Sequence, residues 1–249
     1  MKTINFLFFL SFALSWAQQD SRFVKGNRLY NDGKYRAAIE SYEAILADSL
    51  HSPELYFNLG NAHYKLGEVA PSIYYYEKGL QLSPKNKNIA NNLTYAQKMV
   101  IDKIEILPEP TIKKFRKSLM NMLSLNAWCV ACIIFMVLFV GFFSAYYVSR
   151  KSNQKRTFFL LACSFITSTV FCYALMFSKS HALKLESFGV AFSKKIEVMV
   201  DPNFRSESSF IIHEGTKFQV LESFDSVWSR IKIANGKTGW ISNDSFKLL

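Results

Sequence analysis

A chain of 249 residues can hold one large domain or two small ones, and half of this one is hydrophobic and 16% aromatic, which favours membrane segments over a wholly soluble fold. Its formal net charge of +11 is confined: residues 108–192 carry 10 Lys/Arg against 2 Asp/Glu, residues 18–107 carry 11 against 10, and residues 193–249 carry 8 against 7. Cations gathered beside apolar runs suit lipid headgroups and set topology, so nucleic acid is excluded as an expected partner.

The chain opens with Met1-Lys-Thr, then an almost continuous apolar run from Ile4 to Trp16, with Ser15 and Ala17 as small residues before a cut. That three-part pattern predicts a secretory signal peptide over 1–17, the run being short for a membrane span. The residues after it are expected outside the cytoplasm, cleaved or not.

Residues 22–105 contain an internal repeat. Gly26, Asn27, Tyr30, Gly33, Ala38 and Tyr42 recur 34 positions later as Gly60, Asn61, Tyr64, Gly67, Ser72 and Tyr76, with Pro84 closing the second unit. This resembles the tetratricopeptide repeat. The resemblance implies helix pairs that pack closely at Gly26 and Gly60, turn at Gly33 and Gly67, and fill the interface with Tyr42 and Tyr76. Two repeats need a cap, and Ile89, Leu93, Ala96, Val100 and Ile104 recur at helical spacing to supply one over 88–105. It also implies a groove for an extended peptide, lined by the first helix of each repeat. The residues carried over are Phe23, Asn27, Tyr30 and Asn31, then Phe57, Asn61, Tyr64 and Lys65. Asparagine can bond both donor and acceptor of a peptide backbone, and the aromatics offer adaptable apolar contact; the same aromatics also suit the repeat core.

Leu107-Pro-Glu-Pro110 ends the helical pattern. Over 106–126 a basic amphipathic linker follows, with Ile112, Phe115, Leu119, Met122 and Leu123 set against Lys113, Lys114, Arg116 and Lys117. An interfacial helix touching membrane lipid is the expectation, and an irregular basic tether the alternative.

From Ala127 to Val148, and again from Thr157 to Ser178, 22 residues pass without a charged side chain. At about 1.5 Å per residue each run reaches roughly 33 Å, enough for a hydrocarbon core of about 30 Å. The connector 149–156 holds four cations and is too short for a domain, so the two spans form an antiparallel hairpin turned in the cytoplasm. An even number of crossings then returns the tail to the side of the repeats. Cys129, Cys132, Cys163 and Cys172 all lie in these runs, so they read as small apolar residues, Cys129-x-x-Cys132 included. The spans hold no acid, base or histidine to relay protons or ions.

After a tether over 179–192 the pattern changes to period two. Strands are predicted at 196–200, 217–221, 227–233 and 239–241, with Asn235-Gly236 as a hairpin turn. Residues 193–249 resemble a bacterial SH3-like domain in the run from Glu214-Gly-Thr through Trp228 to Gly239-Trp-Ile241. Trp228 and Trp240 are candidates for a ligand groove there, although so small a barrel also uses tryptophan as core.

The expected fold class is therefore a multi-domain membrane protein: an all-α tetratricopeptide-repeat domain, a two-helix transmembrane hairpin and a small all-β SH3-like barrel. The histidines lack metal-ligand spacing, and neither a cofactor motif nor a convergent nucleophile and base is visible, so no metal, no cofactor and no enzymatic activity are expected. The order of signal, paired repeats, membrane hairpin and SH3-like tail resembles the BatE family of the Bacteroides aerotolerance system. Membership implies an inner-membrane scaffold with both soluble domains periplasmic. The partners it implies are Bat proteins with von Willebrand factor A domains and a cytoplasmic MoxR-type ATPase. The alternative expectation is a cell-wall sensor or anchor whose SH3-like domain binds peptidoglycan peptides.

Overall fold

The computed structural model describes residues 21–105, 108, 110–185 and 187–249. The expected signal segment 1–17 lies outside these described residues. The chain forms two compact units. Among the described residues, one holds 21–104 together with Phe188–Ile233 and Lys237–Leu249; the other holds those between Glu105 and Ser187 and the turn Ala234–Gly236.

The first unit begins with five helices: α1 (Ser21–Asn31), α2 (Tyr35–Ala47), α3 (Pro53–Lys65), α4 (Val69–Leu82) and α5 (Lys87–Gln97). Their ends follow local chemistry. Ser52 caps α3 by accepting from the Leu55 amide at 3.1 Å, with Pro53 at the first helical position, and Asn86 caps α5. The turns inside each pair pass through φ of +76° at Gly33 and +73° at Gly67, the left-handed region that a β-carbon penalises. Ala38, Ile39, Tyr42 and Ile45 of α2 bury against Leu55, Leu59 and Ala62 of α3. Close approach within a pair requires glycine: a β-carbon on Gly60 would lie 2.6 Å from the Tyr76 ring, and one on Gly26 would strike Tyr42.

The capping helix is shorter than its apolar spacing predicts. It ends at Gln97, and its Ile89, Leu93 and Ala96 bury against Ile73 and Tyr76 of α4, with Val100 packed beside them. Ile104 turns away to the core of the C-terminal sheet.

That sheet has seven strands: β1 (Ser187–Ala191), β2 (Lys195–Met199), β3 (Ser208–His213), β4 (Lys217–Phe224), β5 (Trp228–Lys232), β6 (Thr238–Ser242) and β7 (Phe246–Leu248). It is open and SH3-like, in the order β3-β2-β6-β5-β4-β1-β7, and its recorded pairings are antiparallel. Alternation sends Ile196, Val198, Phe218, Val220, Ile231 and Ile241 to one buried face. A bulge at Leu221, between Val220 and Glu222, bends β4 against β5. Three strands escape the sequence reading, and β1 is the consequential one, because it occupies the segment read as a tether.

Repeats and sheet are one body. Val190 of β1 is fully buried in the same cluster as Ile73, Tyr76, Ile89, Leu93 and Ala96, with Phe192 and Leu249 packed on it. Gly215 lets the β3–β4 turn approach the helices: a β-carbon there would lie 2.9 Å from Val69, 3.0 Å from Ile73 and 3.0 Å from Val100. Polar contacts frame this seam. Asp102 accepts from the His213 amide at 2.6 Å and from the Thr216 hydroxyl at 2.6 Å, and its other oxygen meets His213 Nδ1 at 2.7 Å. Lys217 pairs with the buried Glu77 at 2.7 Å. A repeat array needs a neighbour at each end, and the sheet covers the end that α5 leaves open.

The second unit holds α6 (Thr111–Asn121), α7 (Leu125–Val148) and α8 (Ser152–Leu185). Both long helices, of 24 and 34 residues, are long and apolar enough to cross a membrane. They pack antiparallel through Trp128, Cys172 and Leu175, and Phe142 stacks on Phe165 at 5.3 Å. The helix does not stop where apolarity stops. α8 runs on to Leu185 because no glycine or proline interrupts residues 179–187. The tether expected over 179–192 is therefore helix followed by strand.

Gly60→Ala should destabilise the first unit by about 1–3 kcal/mol, since the methyl group must displace a buried ring; thermal unfolding of the purified chain measures it. Asp102→Ala should cost about 2–3 kcal/mol by stranding donors at the seam, seen as earlier proteolysis in the 98–104 segment. The Asp102 carboxyl is held below its ordinary value: burial raises it, but the hydrogen bonds from Thr216 and His213 outweigh that. Its contribution is thus complete above the unfolded value near 4 and lost as pH falls through the lower folded value.

Candidate functional site on the repeats and the sheet

The first-helix residues named from the repeat do share faces. Phe23, Asn27, Tyr30 and Asn31 form one stripe of α1, and Phe57, Asn61, Tyr64 and Lys65 the matching stripe of α3. Their surroundings divide them. Phe23 and Tyr30 pack on the core of the first pair, and Phe57 and Tyr64 on that of the second. Phe23 lies 5.9 Å from Tyr42, and Phe57 lies 6.2 Å from Tyr76, between ring centroids. Asn31 and Lys65 are exposed.

The asparagines form a repeated ladder. Asn27 Oδ1 accepts from the Tyr42 hydroxyl at 2.8 Å and from Asn58 Nδ2 at 2.8 Å. Thirty-four residues on, Asn61 Oδ1 accepts from Tyr76 at 2.6 Å and from Asn92 Nδ2 at 2.7 Å. Burial pushes the Tyr42 hydroxyl up to about 12 and raises that of Tyr76 as well, so both stay protonated donors. Each of these carbonyls is thus spent on joining one helix pair to the next. What Asn27 and Asn61 offer a ligand is the Nδ2 donor, and the carbonyls of Asn58 and Asn92 complete the acceptor set. Asn58 and Asn92 were missed in the sequence, although their own separation of 34 residues marked them.

A second polar cluster sits between the pairs. His63 is 7% exposed, and its Nδ1 meets Glu68 at 2.6 Å, which in turn binds Arg36 at 2.8 Å. The ring stacks on Tyr75 at 5.3 Å, and its buried Nε2 has no protein partner. Burial holds His63 below its ordinary value against the opposing pull of Glu68, so the neutral ring donates from Nδ1. Among the described residues there is no group of three or more His, Cys, Asp or Glu that could hold a metal.

On the sheet, Trp228 and Trp240 both lie on the face opposite the core. Trp228 pairs with Phe224 and Ser242, and Trp240 with Arg230 and Met199. Trp228 is nevertheless buried, 6% exposed, and Phe204 of the β2–β3 loop stands against it at 4.7 Å. Trp240 is half-buried and meets the exposed Phe224 edge-on at 6.2 Å. Of the two tryptophans, Trp240 is therefore the more available to a ligand.

Asn61→Ala should lower stability by about 1–3 kcal/mol, because the buried Tyr76 hydroxyl and Asn92 lose their acceptor; a denaturant melt measures this. Stability of the wild-type chain should fall as pH drops below about 6.5, where the unfolded chain takes up a proton that folded His63 resists, and His63→Gln should flatten that part of the profile.

Comparison with known proteins agrees with this geometry where it is strongest. Residues 23–87 match the family model described as tetratricopeptide repeat. No curated protein matches the chain. Among solved structures, an NlpC/P60 family protein from Bacillus cereus is similar at 17% identity and a TM-score of 0.22, covering 26% of this chain and 21% of that one. The chain thus spans about a fifth of that protein, and a likeness at that score bears on no functional conclusion. Residues 23–87 are thus tetratricopeptide-repeat helices, a fold that suggests protein partners, in a chain that also holds two helices able to cross a membrane and an SH3-like sheet.

Proposed function

We propose that this chain is a non-enzymatic scaffold of the bacterial inner membrane. It presents its repeats and sheet on the periplasmic face as protein-binding modules, within a Bat-type complex linked to aerotolerance or envelope stress. The observation that supports this reading is the shared core. Val190, which follows the hairpin, is buried with Ile73 and Leu93, which precede it. Chain from both flanks of the hairpin therefore lies on one side of any membrane it crosses, as two crossings require. The periplasmic side follows from the expected export signal, and the Bat proteins with von Willebrand factor A domains enter as partners through resemblance of the domain order.

On this reading the partner is an extended segment of another protein laid along α1 and α3, held by Asn31, Lys65 and the Nδ2 groups of Asn27 and Asn61. Asn31→Ala with Lys65→Ala should leave stability within about 0.5 kcal/mol, because both are exposed, while partner recovery in a detergent pull-down falls severalfold. Unchanged recovery sinks the groove.

The aromatic strip of Phe224 and Trp240 favours a second reading, a cell-wall sensor in which the sheet binds peptidoglycan peptides. Co-sedimentation of the full chain with purified sacculi, lost on Trp240→Ala, is its expected signature; the scaffold reading expects no sedimentation.

A further inference from the structure

The short helix α6 is pinned to one end of the apolar hairpin. Trp128 Nε1, at the start of α7, donates to the Met120 carbonyl at 3.1 Å. Lys179, just past the uncharged run of α8, donates to the same carbonyl at 3.1 Å and to that of Leu123 at 2.8 Å. Met120 is buried with Trp128, Cys172 and Leu175, and Leu119 packs beside it. A tryptophan and a lysine at such positions mark the boundary between hydrocarbon and headgroups. The C-terminal end of α6 is thus fixed at that boundary by both spans.

The rest of α6 has a composition that suits this level. Ile112, Phe115, Leu119 and Met122 recur at three- and four-residue spacing and form one stripe, yet Ile112 is 84%, Phe115 68% and Met122 71% exposed. Leu119 makes that stripe continuous with the apolar surface of α7 and α8. Lys113, Lys114, Arg116 and Lys117 lie along the remaining faces, and no Asp or Glu occurs anywhere from Thr111 to Leu185.

We propose that α6 is an anionic-phospholipid binding element. It lies in the headgroup layer at the chain-entry end of the hairpin, with Ile112 and Phe115 in the acyl boundary and the cations of Lys114 and Arg116 against lipid phosphates. The charge is complementary to that surface, and the apolar stripe continues the face that the spans turn to lipid. This inference rests on α7 and α8 crossing the membrane, and it adds a lipid class to that reading. Exposed apolar side chains on a cationic helix are then a seat in the bilayer surface and not a vacant protein interface.

The test uses the full chain reconstituted with spin-labelled phosphatidylglycerol or phosphatidylcholine, comparing the fraction of each held motionally restricted by the protein. The expected result is a severalfold preference for phosphatidylglycerol. It should fall markedly when Lys113, Lys114, Arg116 and Lys117 are all replaced by glutamine, and much less when Arg150, Lys151, Lys155 and Arg156 of the turn are replaced. Raised salt on the unaltered chain should weaken the preference without any substitution. A preference that survives the α6 replacement, or none at the outset, overturns the proposal. Alkaline carbonate extraction keeps the two readings apart. A chain that stays in the vesicles without showing the preference retains its spans and loses the lipid site, whereas release from vesicles of either lipid defeats the spans themselves.

Discussion

The seam between α4, α5 and the C-terminal sheet is the contact on which the soluble part of this protein depends. Two tetratricopeptide units bury too little surface at their ends, and here a β-strand supplies what a further repeat would supply elsewhere. Val190 fills the apolar gap above Ile73 and Leu93, while the Asp102 carboxylate gathers three donors from His213 and Thr216. The apolar contact provides the larger driving force, since burial is non-directional and spread over many atoms. The carboxylate fixes register, because a donor set shifted by one residue would be left unpaired.

This seam has a topological consequence. The residues that meet across it are separated in sequence by the whole hairpin, so the hairpin is a closed excursion of about eighty residues from one folded body. A loop that long costs only slightly more entropy to close than a shorter one, and a membrane that aligns its two helices removes much of that cost. The hairpin can therefore be inserted into a domain without breaking it, as insertions at exposed connections are tolerated generally.

The asparagine ladder shows how a recognition face and a structural face are reconciled in a repeat. In each unit one carbonyl ties a tyrosine of the same pair to an asparagine of the next helix pair. The amide is bifunctional, so the face keeps donors and acceptors to present while its backbone spacing is locked. On the proposed reading, binding and stability would be coupled at Asn27 and Asn61, whose carbonyls are spent on the ladder, and separable at the exposed Asn31 and Lys65.

Periodicity alone was sufficient for much of this protein. A 34-residue repeat, two uncharged apolar runs and an alternating tail marked repeats, hairpin and sheet, because burial on one face imposes its period on the sequence. Boundaries were less legible. Apolarity ended at Ser178 but the helix continued to Leu185, since loss of apolarity does not by itself end a helix and no glycine or proline interrupts residues 179–185. The short strand β1 carried no alternation long enough to read, and its partners lie far away in sequence. Which of Trp228 and Trp240 stays accessible, where the Asn27 carbonyl is spent, and that repeats and sheet share one core were decided only by the tertiary structure. Each of these is a contact between residues distant in the chain, and local pattern carries no record of which distant neighbour a buried group will meet.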